Sequence, residues 1–415
     1  MRSATTEMLR ALGILLVAAS TSASRNAVPR DPRPNLPAPS GPLAIGTTSL
    51  FLTDSSRSAP LNASPRRQRT MAIQLWYPAS PHVHGALARY IANPALAAAL
   101  LAQDYYGLDS QLLRTWPHVT THSYVNAQPL AGRHPTVTLS PGLGVARANY
   151  TSLAEELASY GYIVIGIDLP LQGFTILPDG AISTADDDSA NSSDDAAVQR
   201  RQVSAWAADI SFVLDRLQQE KVSVRAAAVA RGIDWSRVGA FGHSSGGLIS
   251  IEACGHDERL RACADLDGGP LDPDGHPIAD FVSAGLKKPS LFLMEHPVYS
   301  DADLARRHRT RASYERQDPA FTAMMNDLEH RAEGPFYFAH VTGTGHFSFS
   351  DGPFMMPTTI TRFGGRIIDA GRGWRVITTT LRAFFDEYLS TTRGSSLVRL
   401  TKTFPELVFD RAKLQ

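Results

Sequence analysis

Cysteine is nearly absent: Cys254 and Cys263 are the only two in 415 residues. That excludes a disulfide-dense scaffold and any zinc site assembled from cysteine clusters. Neither sign of charge is in excess, since Lys and Arg total 40 and Asp and Glu total 40. The basic surplus of a nucleic-acid binder is therefore missing, and nucleic acid is not an expected partner. The N-terminal apolar run, Ala11 to Ala19, is about half as long as a membrane-spanning helix requires. The 43% of hydrophobic residues suffices for one large or two modest cores and excludes a disordered or fibrous chain. Chemistry is left to serine, histidine and carboxylates.

That apolar run follows Arg2 and Arg10 and leads into Ser20-Thr21-Ser22-Ala23, the order of a secretory signal peptide with cleavage after Ala23. Residues 1–23 are read as that signal, which gives a secreted or periplasmic location; the competing reading is a retained N-terminal helix. No cysteine follows the run to carry a lipid anchor. Residues 24–42 carry Pro29, Pro32, Pro34, Pro37, Pro39 and Pro42 and read as a semi-extended linker. Residues 43–415 then form one domain. In an oxidising compartment Cys254 and Cys263 form a bridge or remain buried thiols, and sequence alone leaves both open.

Strand-like runs alternate with helix-like patterns, which predicts an α/β domain with a mostly parallel central sheet flanked by helices. The strands are Met71–Tyr77, Thr136–Ser140, Tyr162–Ile167, Arg237–Phe241, Ala262–Leu266, Ser290–Met294 and Phe336–Val341. Leu153 and Leu157 mark a helix over Tyr150–Ser159, stopped at Gly161. Val203, Ala207, Ile210, Val213, Leu214 and Leu217 form the stripe of a long crossover helix, and Ile377, Leu381, Phe384, Phe385 and Tyr388 a C-terminal one. Asp186, Asp187, Asp188, Asp194 and Asp195 lie in a solvated loop rather than a metal site, because carboxylates run together on a loop lack fixed geometry. The segment Ala79–His134, with its Ala/Leu-rich stretch Asn93–Leu101, departs from the alternation. It reads as a helical insertion that shapes a pocket or makes transient contact with a lipid surface, or simply covers the sheet edge.

The run Gly242-His243-Ser244-Ser245-Gly246 lies between a strand and a helix. This is the setting of a nucleophile elbow, a strained turn that exposes a serine while glycines let strand and helix approach. A serine hydroxyl is a weak nucleophile and requires a histidine base, itself oriented by a carboxylate. His346, in Val341-Thr342-Gly343-Thr344-Gly345-His346-Phe347, follows a strand on a glycine-rich loop; His256, His276 and His296 lack that setting. For the acid, Asp267 emerges after the strand Ala262–Leu266; Asp265, Glu295 and Asp301 are the alternatives. The oxyanion requires two N–H donors. Ser245, just after the nucleophile, supplies one, and Leu143, in the glycine-rich loop Pro141-Gly142-Leu143-Gly144, the other.

On these residues the chain resembles the plasma-type and bacterial branch of the platelet-activating-factor acetylhydrolase family of α/β-hydrolases. The resemblance is carried by Ser140-Pro141-Gly142-Leu143-Gly144 with Tyr150, Leu157–Val164, Asp209–Asp215, Gly242–Gly247, Asp267-Gly268 and Gly345-His346-Phe347. It implies an acid after the strand that follows the elbow strand, which favours Asp267, and Ca²⁺-independent hydrolysis of a short or oxidised acyl ester. Pro141 stands where many members have histidine, and the 79–134 insertion matches loosely.

The expectation is a serine esterase acting on a small-molecule or lipid ester by a Ser244–His346–Asp267 triad, with no metal and no organic cofactor. Platelet-activating-factor-type phospholipid esters are among its candidate substrates. The rivals are an acyl transferase with the same triad and a non-catalytic protein that keeps the pocket for a ligand. The sequence is silent on oligomeric state.

Overall fold

The computed structural model describes residues 34–413, apart from 58–67, 93–109, 185–192, 194, 273, 307–309, 313–317, 358–367 and 391–396. Residues 1–23, expected to be a signal peptide, the first part of the expected linker, the stretch Asn93–Leu101 and most of the acidic loop therefore lie outside the described residues.

Among the described residues, eleven strands form one sheet in the order β13-β12-β11-β10-β9-β5-β6-β2-β1-β4-β3. They are β1 (Ile45–Asp54), β2 (Arg69–Pro78), β3 (Leu87–Arg89), β4 (Thr120–Val125), β5 (His134–Ser140), β6 (Ile163–Asp168), β9 (Ile233–His243), β10 (Leu260–Leu266), β11 (Ser290–His296), β12 (Phe336–Thr342) and β13 (Leu407–Lys413). A separate ribbon joins β7 (Thr175–Ile176) to β8 (Ile182–Ser183). From β6 through β5, β9, β10 and β11 to β12 every pairing is parallel. The flanks turn antiparallel at β2–β6 and β12–β13. Strands covered by helices on both faces read as unbroken apolar runs, and every residue of β6 is buried. That is why these central strands are legible in the sequence.

The helices that matter for the site are α1 (Thr151–Ser159), α2 (Ala196–Gln218), α3 (Ser245–His256), α4 (Pro319–Arg331) and α5 (Ala370–Leu389). Leu153, Ala154, Leu157 and Ala158 of α1 and Val376, Ile377, Leu381, Phe384 and Phe385 of α5 share one apolar core. Val203, Ile210, Val213 and Leu217 of α2 and Met324, Met325 and Leu328 of α4 belong to a second. Asp195, one of the loop carboxylates, caps α2 by accepting from the Ala197 N–H at 2.8 Å, the ordinary role of an N-cap aspartate. No helix among the described residues is long and apolar enough to cross a membrane.

The insertion is not wholly helical. It contains β3, a short helix Ser110–Thr115, a turn at Trp116–His118, and β4, which pairs in parallel with β1. The inward positions of β4 include Thr121 and Ser123, both buried, so the apolar alternation that marks a half-buried strand is missing there. Cys254 and Cys263 form a disulfide between α3 and β10, which resolves the alternative left open above.

Candidate active site

Ser244 follows β9 directly and immediately precedes α3, with φ 56° and ψ −127°. Few non-glycine residues occupy such a region, and strain of this kind requires a surrounding structure that over-determines it. Its N–H donates to the Leu266 carbonyl at 2.9 Å. The flanking glycines are dictated by close approach. A Cβ at Gly242 would meet the Gly246 carbonyl oxygen at 2.2 Å, and one at Gly246 would meet the Ser140 carbonyl oxygen at 2.1 Å.

Asp267 sits one residue past β10, also in the left-handed region at φ 59°. One carboxylate oxygen accepts from the Glu295 N–H at 2.8 Å. The other is 2.6 Å from Nδ1 of His346. His346 opens a 3₁₀ turn after β12, on the loop that begins at Gly343. A Cβ at Gly142 would lie 3.3 Å from Cβ of Ser244, so the glycine-rich loop after β5 packs directly on the elbow. In that loop the Gly142 N–H donates to the Tyr150 hydroxyl and the Gly144 N–H to the Gln172 carbonyl. The Leu143 N–H donates to no acceptor among the described residues. Ser245 opens α3, where first-turn N–H groups have no partner inside the helix.

The alternatives go elsewhere. Asp265 is buried, accepts from the Gly268 N–H at 2.8 Å and leaves its second oxygen without a partner. Burial, with the neighbouring Asp267 charge adding to it, pushes its carboxyl well above the usual carboxylate range. Glu295 serves Asp267 through its backbone. Asp301 is exposed and pairs with Arg311. His256 pairs with Glu252, His276 with Asp272, and His296 stacks on His340.

Two participants escaped the sequence reading. His243, inside the serine motif, is buried, and its ring lies 4.4 Å from that of His346. Burial, with His346 as a like neighbour, holds it well below the usual histidine range and hence neutral. Gln172 braces the glycine-rich loop: its Nε2 donates to the Pro141 carbonyl at 2.6 Å and reaches Oγ of Ser245 at 3.3 Å. A histidine beside the candidate nucleophile was a visible signal, whereas Gln172 had none. One donor atom each from His243, Asp267 and His346 lie within 4.8 Å of one another. Asp267 and His346 already share a hydrogen bond, which an ion seated there would have to break.

The family model for platelet-activating factor acetylhydrolase, isoform II, matches residues 30–169, a stretch that carries the glycine-rich loop and ends before Ser244. A probable 1-alkyl-2-acetylglycerophosphocholine esterase of Arthroderma benhamiae is 27% identical over 283 residues, covering 62% of this chain. A platelet-activating factor acetylhydrolase of Canis lupus familiaris is 24% identical over 288 residues, also covering 62% of this chain. The chain spans 64% and 59% of the lengths of these two relatives. Among solved structures, a ferulic acid esterase from Streptomyces cinnamoneus superimposes with a TM-score of 0.71 at 28% identity. That superposition covers 92% of this chain and all of the other. By sequence the chain is similar over 62% of its length to platelet-activating factor acetylhydrolases, and its mostly parallel sheet with flanking helices is an α/β-hydrolase fold.

Proposed function

We propose that the chain is a serine esterase. Ser244 attacks the ester carbonyl while His346, whose Nδ1 faces Asp267, takes the hydroxyl proton at Nε2. The oxyanion of the tetrahedral intermediate is held by the N–H groups of Leu143 and Ser245. His346 returns the proton to the departing alcohol, leaving an acyl-serine. Water, deprotonated by the same imidazole, then releases the carboxylic acid and restores the serine. The observation that carries this reading is the 2.6 Å hydrogen bond between His346 and Asp267 beside a strained serine.

For substrate, the acetylhydrolase relatives support a short acyl ester, including the sn-2 acetyl ester of a glycerophosphocholine. The ferulic acid esterase neighbour, which matches nearly the whole chain, supports a second reading, an aromatic hydroxycinnamoyl ester. The test is turnover of acetyl through long-chain esters, an sn-2 acetyl phospholipid and methyl ferulate by wild type and Ser244→Ala. Loss of several orders of magnitude on substitution upholds the esterase, and the preferred ester chooses between the substrates. A folded wild type no faster than Ser244→Ala on every ester refutes the reading. We also infer export, which the Cys254–Cys263 disulfide favours; N-terminal sequencing of secreted protein that begins at Met1 would refute cleavage of a signal.

A further inference from the structure

Tyr150 is 1% exposed, and its hydroxyl touches two parts of the site. Its oxygen accepts from the Gly142 N–H at 3.0 Å, and it lies 2.8 Å from Nδ1 of His243. Gly142 immediately precedes Leu143, the residue with the unclaimed amide, and His243 immediately precedes Ser244. An amide can only donate, so the phenolic oxygen accepts from Gly142, and the proton of the second bond sits either on the phenol or on Nδ1, according to the tautomer of His243. A neutral imidazole that accepts at Nδ1 carries its hydrogen at Nε2. That Nε2 is buried without a full hydrogen bond. It belongs to a ring packed on the ring of His346 and in weak contact with the main chain of that residue.

We propose that Tyr150 and His243 are positioning residues for the ester hydrolysis. The path Gly142 N–H to Tyr150 hydroxyl to His243 Nδ1 fixes His243 as the Nε2–H tautomer and ties the glycine-rich loop to the nucleophile elbow and the loop of His346. The inference rests on the esterase reading. Neither residue touches the reacting atoms; each acts on where Leu143 N–H, Ser244 and His346 stand. A loop displaced by a fraction of an ångström misdirects the Leu143 donor in the transition state, where it matters most, and hardly alters binding of the neutral ester. A neutral ring beside His346 also avoids repelling the imidazolium that forms there during catalysis.

The experiment is a double-mutant cycle with Tyr150→Phe and His243→Leu on a short ester, with His243→Asn as the conservative variant. Tyr150→Phe removes one oxygen and keeps the ring. The expected result is a fall in kcat of about 10- to 100-fold with KM changed less than about threefold. His243→Leu gives a similar fall, and the double variant is no slower than the slower single, because both break one path. His243→Asn, whose amide oxygen can accept from the Tyr150 hydroxyl, recovers most of the rate. Additive losses, or a Tyr150→Phe enzyme with unchanged kcat, would overturn the proposal. Should His243→Leu fail to fold, ¹⁵N-histidine spectra of folded Ser244→Ala protein decide instead: an Nε2–H signature for His243 supports the path, and an Nδ1–H signature sinks it. A wild type without ester turnover defeats the esterase reading itself, and the tautomer measurement then judges the hydrogen-bond path on its own.

Discussion

Two buried aspartates, Asp209 on α2 and Asp265 on β10, are both fully enclosed and have opposite surroundings. Arg69 reaches the two oxygens of Asp209 at 2.6 Å each, and Arg57 adds a third contact at 2.6 Å. These bonds tie the β1–β2 hairpin to α2. Asp265 has one backbone donor and an unpartnered oxygen; it stands two residues from a strained Asp267 and pairs with Gly242, two residues before a strained Ser244. Away from the site, buried charge is paired and bonded, as stability demands. At the carboxyl edge of the sheet, strain and unmet hydrogen bonds accumulate, the pattern of a region shaped by a task other than stability.

If the contrast holds, substitutions in the two regions separate cleanly. Asp267→Asn should lower kcat by about 10⁴-fold with the fold retained, because an amide facing Nδ1 imposes the wrong tautomer on His346; ester kinetics beside a thermal melt check both halves. Asp209→Ala should do the reverse, costing about 3–5 kcal/mol by stranding the Arg69 charge, with kcat per folded molecule unchanged in a urea-titrated sample. Next in size comes the Cys254–Cys263 bridge, whose cysteines are 9 residues apart in sequence. Replacing both by alanine should cost about 2–3 kcal/mol by the loop-closure argument, read as a shift of the urea midpoint.

The last effect is the most revealing of the site's edge. Asp351, on the turn that follows His346, accepts from the Thr151 N–H at 2.9 Å and the Ser152 N–H at 3.1 Å, and also from the Ser152 hydroxyl. It thus clasps the histidine loop to the start of α1. Burial, offset in part by these bonds, raises its carboxyl from 3.8 to about 7. The folded protein then holds a proton that the unfolded chain releases above about pH 4. Stability from this group is complete below that pH and is lost as pH rises toward about 7. Asp351→Asn should flatten the fall of unfolding free energy over that window, which has a slope of at most about 1.4 kcal/mol per pH unit, measured by denaturant titration at several pH values.

The central strands were legible because burial on both faces leaves unbroken apolar runs: all but the first residue of Tyr162–Ile167 lies in β6, and Ala262–Leu266 lies within β10. The outer strands were not. β13 alternates buried Leu407 with exposed Val408 and then carries Asp410, Arg411 and Lys413, the mixed character of an edge strand. At the site, Ser244, Asp267 and His346 could be named because each ends or follows a strand in a glycine-rich setting. The raised carboxyl of Asp265 could not, since it depends on a depth of burial that spacing does not report.

By itself, the sequence determined an α/β alternation, a serine in a turn that only small neighbours permit, and an order of serine, acid and histidine along the chain. These are local matters, set by period, glycine placement and residue chemistry. Only the tertiary structure decided that Cys254 meets Cys263, that Glu295 serves Asp267 through its backbone, and that Tyr150 bridges Gly142 to His243. Each of those joins elements brought together by the order of strands in the sheet, and that order is fixed by how helices and strands bury their apolar faces together.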